Sequence, residues 1–170
     1  MTERPASDEA APYFQRYIAL VPDGPLVDTL RQQGAATAAW VRGLSPDRTD
    51  HAYADGKWTL GQVLQHVLDT ERIFATRALR IARGDDTPLP GFEQDDFVAA
   101  AGPSRPLAEL ADEGERLRAT TVDLISSLDG DALRRIGTSS GGPLSARAAG
   151  WIIAGHELHH RQILRERYAS

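Results

Sequence analysis

The sequence contains no cysteine. That excludes disulfides, thiolate metal ligands and a cysteine nucleophile, so any sulfur chemistry must arrive with a substrate or cofactor. No apolar run approaches the length of a membrane span. The opening segment Met1-Thr2-Glu3-Arg4-Pro5-Ala6 has nothing resembling the apolar stretch of a secretory signal. A cytoplasmic protein without a membrane partner is the expectation. A basic excess is missing too. Nineteen Lys and Arg against 24 Asp and Glu leave a net charge of −5, which removes the electrostatic footprint of a nucleic-acid partner. No run alternates like a strand, and there is no internal repeat or low-complexity tract.

What is there suits one globular domain. At 170 residues the chain is long enough to bury a continuous core, and 41% hydrophobic with 25% charged residues argues against general disorder. Residues 1–24 carry Pro5, Pro12, Pro22 and Gly24 between aromatic and aliphatic side chains. They read as an extended or turn-rich N-terminal arm, followed by a single domain over 25–170. Pro25 is a good first helical residue, and Leu26, Leu30, Ala36, Trp40 and Val41 fit a first helix closing near Gly43. Thr59 with Gln62 forms a capping box for a second helix, whose stripe runs Leu60, Val63, Leu64, Val67, Phe74, Ala78 and Ile81 to a stop at Arg83-Gly84. A third helix starts near Pro106 and stops at Asp129-Gly130. The segment Gly137-Thr138-Ser139-Ser140-Gly141-Gly142-Pro143 reads as a flexible connector, since it lacks the ending of a phosphate-binding loop. Ser145 caps a fourth helix.

Between the second and third helices lies a long acidic segment rich in Pro and Gly, from Asp85 to about Arg105. A connection of this length inside a compact domain needs a reason. The second helix is about 37 Å long at 1.5 Å per residue, and some twenty extended residues, at roughly 3.3 Å each, can span it. The segment therefore reads as a crossover that leaves helices two and three parallel. The fold class is all-α: a four-helix bundle with a long crossover between helices 2 and 3.

The chemistry concentrates in Gly155-His156-Glu157-Leu158-His159-His160, which holds three of the five histidines. His156 and His160 are spaced i, i+4, so both imidazoles leave one face of the helix a turn apart. That spacing lets one helix give two nitrogens to one metal ion. They share their face with Ile152, Ile153, Ile163 and Leu164, so they point into the core, where each imidazole needs a partner. A further ligand must come from elsewhere. His66 falls at the border of the second helix's stripe, and taken alone reads as a boundary histidine. Glu71 falls inside the stripe and calls for a paired arginine, a buried hydrogen bond or a histidine to orient. His51, in a polar connection, reads as solvated.

Three motifs together resemble the DinB/YfiT-like family of metal-binding four-helix bundles. The first is Gly56-Lys57-Trp58-Thr59-Leu60-Gly61-Gln62-Val63-Leu64-Gln65-His66 with Asp69-Thr70-Glu71-Arg72. The second is Arg80 to Gly84 running into Pro88-Leu89-Pro90-Gly91-Phe92. The third is Ala154-Gly155-His156-Glu157-Leu158-His159-His160, ending in Arg165-Glu166-Arg167-Tyr168. The arm before residue 25 adds little. The resemblance implies a divalent metal held by His66, His156 and His160, with His160 preferred over His159. It also implies the crossover already read from loop length.

Three imidazoles leave a divalent ion with open positions, which is a catalytic layout rather than a closed structural one. Zinc or nickel leads among the metals, with iron or manganese behind. Glu71, Asp69 and Glu157 are candidates to orient an imidazole from behind. The family includes transferases and an isomerase that use low-molecular-weight thiols, so the resemblance implies a thiol-dependent transferase acting on a small-molecule substrate. A hydrolase using a bound hydroxide and a non-catalytic metal-binding stress protein are the alternatives. The family's habit allows a homodimer, with Tyr13, Phe14 and Tyr17 of the arm available either for an interface or to cover this chain's own core.

Overall fold

The computed structural model describes residues 3–168. Four long helices form the body: α2 (Leu26–Arg42), α3 (Leu60–Ala82), α5 (Leu107–Ser126) and α7 (Ala146–Arg167). Three short ones, α1 (Pro12–Ile18), α4 (Gln94–Ala100) and α6 (Gly130–Arg134), sit in the connections, with strands β1 (Ile136–Ser139) and β2 (Gly142–Ser145) ahead of α7. The expected caps form. The Thr59 side chain accepts from the Gln62 amide while Gln62 reaches back to the Thr59 amide, and Ser145 accepts from the Ala148 amide. Each satisfies backbone donors that a helix start would otherwise leave bare.

Contacts between side chains fix the directions. Along α3 and α5, Thr59 meets Ser104, Gln65 meets Arg105 and Glu71 meets Arg118, so residue numbers rise together and the two helices are parallel. Along α3 and α7, Tyr168 bonds the Trp58 carbonyl while His66 meets His156, so these two run antiparallel. Helix α2 runs antiparallel to α5, through Arg42 to Asp112 and the Leu30 carbonyl to Arg118. The main packing partners are α2 with α5, α5 with α3, α3 with α7, and α7 with α2. Helices α2 and α3, though consecutive, therefore stand on a diagonal. The crossover of residues 83–106 is what this arrangement requires, and it carries α4 along its way.

The core divides into two apolar halves. One gathers Leu26, Leu30, Phe74, Ile81, Ile125 and Trp151; the other gathers Val41, Leu60, Leu64, Leu110, Leu164 and Tyr168. Between them every long helix contributes a polar residue: Thr37 from α2, Glu71 from α3, Arg118 from α5 and Glu157 from α7. Arg118 is 5% exposed. Its Nε and Nη2 donate to the two Glu71 oxygens at 2.9 Å each, Nη2 also donates to Glu157 at 2.6 Å, and Nη1 donates to the Leu30 carbonyl at 2.9 Å. Thr37 donates to the other Glu157 oxygen.

Two expectations are corrected. The arm is not simply extended, because residues 12–18 form α1, started by Pro12 at its first position and seated on α7. A Cβ on Gly155 would lie 1.9 Å from the Tyr17 carbonyl oxygen, so only glycine lets the two backbones come this close. The connector at 137–143 is a β-hairpin, with Ser139 opposite Gly142 and a two-residue turn at Ser140-Gly141. Both turn residues have positive φ, 52° and 78°, as the tightest hairpin turn demands. Leu89 of the crossover bonds Thr138 and Ser140 alongside it. Among the described residues no helix is long and apolar enough to cross a membrane.

Candidate metal centre

His66 leaves the second turn of α3, and His156 and His160 leave α7 one turn apart; antiparallel packing of the two helices brings all three together. Their ring nitrogens lie within 4.8 Å of one another. The Nε2 of His156 is 3.1 Å from that of His66 and 3.1 Å from that of His160. His66 and His156 are buried and His160 half-buried.

A hydrogen-bond network accounts poorly for this geometry. A neutral imidazole nitrogen is either a donor or an acceptor, and one Nε2–H of His156 cannot point squarely at two acceptors. A cation fits better. With ligand bonds of about 2.0–2.1 Å, nitrogens around one ion stand about 2.9 Å apart at right angles and about 3.4 Å apart at the tetrahedral angle. The observed 3.1 Å lies between the two.

The protonation states agree. Burial pushes His66 down to about 4, against a smaller upward pull from Asp69 and Asp95. Burial, then His66, His159 and Arg16, take His160 down to about 3. His156 is driven well below the ordinary imidazole range, by burial first and by the other histidines and Arg16 after it. At neutral pH all three are uncharged, with lone pairs to give.

The residues expected to orient the imidazoles do something else. Glu71 and Glu157 bind Arg118, and Asp69 accepts from Gln65 at 2.9 Å and from Arg72 at 3.2 Å. Ring packing holds the histidines instead. The Trp58 ring lies 4.9 Å from His66, and the Tyr17 ring lies edge-on to His156 at 5.3 Å and to His159 at 5.5 Å. His159 is thus a packing neighbour outside the cluster, and His51 packs on Tyr168.

A cavity of about 590 Å³ opens on His66 and His156. Tyr13, Phe14 and Tyr17 of α1 form one wall, Phe74 and Arg77 of α3 another, and Phe92 of the crossover a third. Arg77 lies on the α3 stripe between Phe74 and Ala78, where a charge is out of pattern; that was the signal available to sequence reading.

A DinB superfamily model matches residues 29–164. The chain belongs to the DinB superfamily. Its DinB fold is similar to that of YfiT from Bacillus subtilis, described as a probable metal-dependent hydrolase with an unusual four-helix bundle topology. The TM-score is 0.72 at 16% identity, over 95% of this chain and 91% of that one. It is also similar to the mycothiol-dependent maleylpyruvate isomerase, with a TM-score of 0.66 at 17% identity over 82% of this chain and 60% of the isomerase. A third DinB-like protein, YjoA from Bacillus subtilis, gives 0.60 at 20% identity over 83% of this chain and 87% of that one. These identities speak for the fold. No curated protein matches the sequence.

Proposed function

We propose that the protein is a metal-dependent enzyme in which His66, His156 and His160 hold a divalent ion, zinc or nickel first, at the wall of the aromatic cavity. The observation that carries this reading is the convergence of three neutral imidazoles, with Nε2 of His156 3.1 Å from that of His66 and 3.1 Å from that of His160, beside a space of about 590 Å³. The preferred reaction is transfer of a low-molecular-weight thiol to an electrophilic small molecule. A bound divalent ion lowers the pKa of a thiol or water placed against it. The chain's own part is to keep the three imidazoles uncharged by burial, to hold their rings with Trp58 and Tyr17, and to surround the reactants with aromatic walls. The absence of cysteine suits a nucleophile that is brought in, and the likeness to a mycothiol-dependent isomerase supports the thiol.

Hydrolysis is the second reading, supported by the likeness to YfiT over nearly the whole chain. The test is metal content by mass spectrometry on tag-free protein, wild type beside His156→Ala, followed by turnover of electrophile and ester probes with and without added thiol. One ion per chain in wild type, much less in the variant, and turnover only with thiol is the expected result. Turnover without thiol selects hydrolysis. No metal in wild type after reconstitution removes both readings.

A further inference from the structure

His66 and His156 occupy one region of the cavity, and another is built around Arg77, which the metal reading does not use. Arg77 follows His66 by eleven residues on α3, so its Cα lies about 16 Å further along the helix and within about 20° of the same face. Thr70 lies between them on that face, and all three border the cavity. Arg77 is 4% exposed and Thr70 3%.

Neither side chain is satisfied by the protein. Nη2 of Arg77 donates to the Pro90 carbonyl at 2.7 Å and to the Ser140 hydroxyl at 3.3 Å. Its Nε and Nη1 donors meet no acceptor among the described residues, and no carboxylate there forms an ion pair with it. Burial alone acts on its pKa, downward. The Phe74 and Phe92 rings flank the guanidinium at 4.7 and 5.8 Å. The Thr70 hydroxyl is buried with no hydrogen-bond partner among the described residues, although a helical threonine can bond the carbonyl one turn back.

We propose that Arg77 and Thr70 form a carboxylate subsite of this cavity, so that the substrate is a small organic acid whose other end reaches His66, His156 and His160. Where the reacting end goes rests on the metal-dependent reading; the subsite itself rests on the surroundings of Arg77. Pinning the crossover does not account for an arginine, since one nitrogen serves both Pro90 and Ser140 and a neutral side chain would serve as well. A buried cation without a counter-ion is costly. A substrate carboxylate supplies the missing charge and accepts the idle donors, the strongest kind of hydrogen bond available to a guanidinium. The flanking phenylalanines suit an apolar body. Glu93 and Asp95 also border the cavity. The charge of Asp95 acts on His66, which favours the orientation that places the carboxylate at Arg77.

The experiment compares 3-phenylpropionate with its neutral amide, in zinc-loaded and metal-free protein, following the Arg77 Nε–H signal by NMR on arginine-labelled samples. The acid should shift that signal saturably in both forms and bind at least tenfold more tightly than the amide. Arg77→Met should abolish the preference in metal-free protein and leave zinc content unchanged. If that variant fails to fold, Arg77→Lys, which should retain part of the preference, and the wild-type signal decide. Equal binding of acid and amide, or an Arg77 signal that does not move, overturns the proposal. Displacement of the acid by inorganic phosphate at lower concentration overturns it in favour of a phosphoryl anion. If wild type takes up no zinc, the metal reading falls, and the metal-free titration still decides the subsite.

Discussion

Replacing Arg118 with methionine tests the polar layer that ties the four helices together. The substitution keeps an unbranched side chain but deletes two bonds to Glu71, one to Glu157 and one to the Leu30 carbonyl. It leaves two carboxylates, each 4% exposed, facing one another without a cation. Removing one partner of a buried ionic cluster costs about 3–5 kcal/mol, a large share of the roughly 5–15 kcal/mol by which domains are stable. Unfolding entropy is about 2.1 cal/mol/K per residue, so in a chain of this length each kcal/mol moves Tm by about 3 °C. The expected fall is about 8–14 °C, measured by thermal melting in EDTA so that metal binding does not contribute. Arg118→Met combined with Glu71→Leu and Glu157→Met removes every charge and should regain most of the loss, because a well-packed apolar layer is often as stable as an ionic one. A single variant melting within about 2 °C of wild type would refute the reasoning. So would a triple variant less stable than the single one.

Two further outcomes follow from the packing of the N-terminal segment. Gly155→Ala places a methyl 1.9 Å from the Tyr17 carbonyl oxygen, so α1 must lift. We expect a net loss of about 1–3 kcal/mol by urea denaturation, despite the alanine's better helix propensity, with weaker protection of α1 amides in hydrogen exchange. Glu9 is raised by burial but lowered further by Arg147, the Ala6 amide and Ser145, to about 2 from its ordinary 4.5. Its folded pKa is depressed, so its contribution is present above pH 4.5 and lost as pH falls through 2. Titrated melting of wild type beside Glu9→Gln should show the gap between them closing across that window.

The four long helices were legible because their signals were local. The capping box at Thr59, the cap at Ser145 and the stripes of α2, α3 and α5 need no knowledge of the rest of the chain. The crossover was legible from length alone. The hairpin was not, since Gly137 to Pro143 has the composition of a loop and its ladder is completed by Leu89 from a distant segment. Its one local sign was the Ser140-Gly141 pair, a dipeptide suited to a two-residue turn. Helix α1 is seven residues between prolines, too short to show a period, and docking on α7 decides its conformation. The convergence of the three imidazoles could be anticipated from spacing together with resemblance. The partner of Glu71 could be guessed as an arginine, but choosing Arg118 among many required the packing of α5. Glu157, a candidate to orient an imidazole, sits beside the histidines in sequence, yet on the helix it turns to Arg118 instead.

The diagonal placement of consecutive helices also bears on how the chain reaches its native state. His66 and His156 are separated by 90 residues, and the α2–α5, α3–α7 and α2–α7 interfaces all join segments remote in sequence. Closing such loops costs entropy before any contact repays it. The bundle should therefore fold more slowly than a simple up-and-down bundle of equal length, in which neighbours in sequence are neighbours in space. The imidazole cluster can assemble only after α7 has docked onto α3, so a nascent chain stalled before α7 has no centre with which to capture an ion.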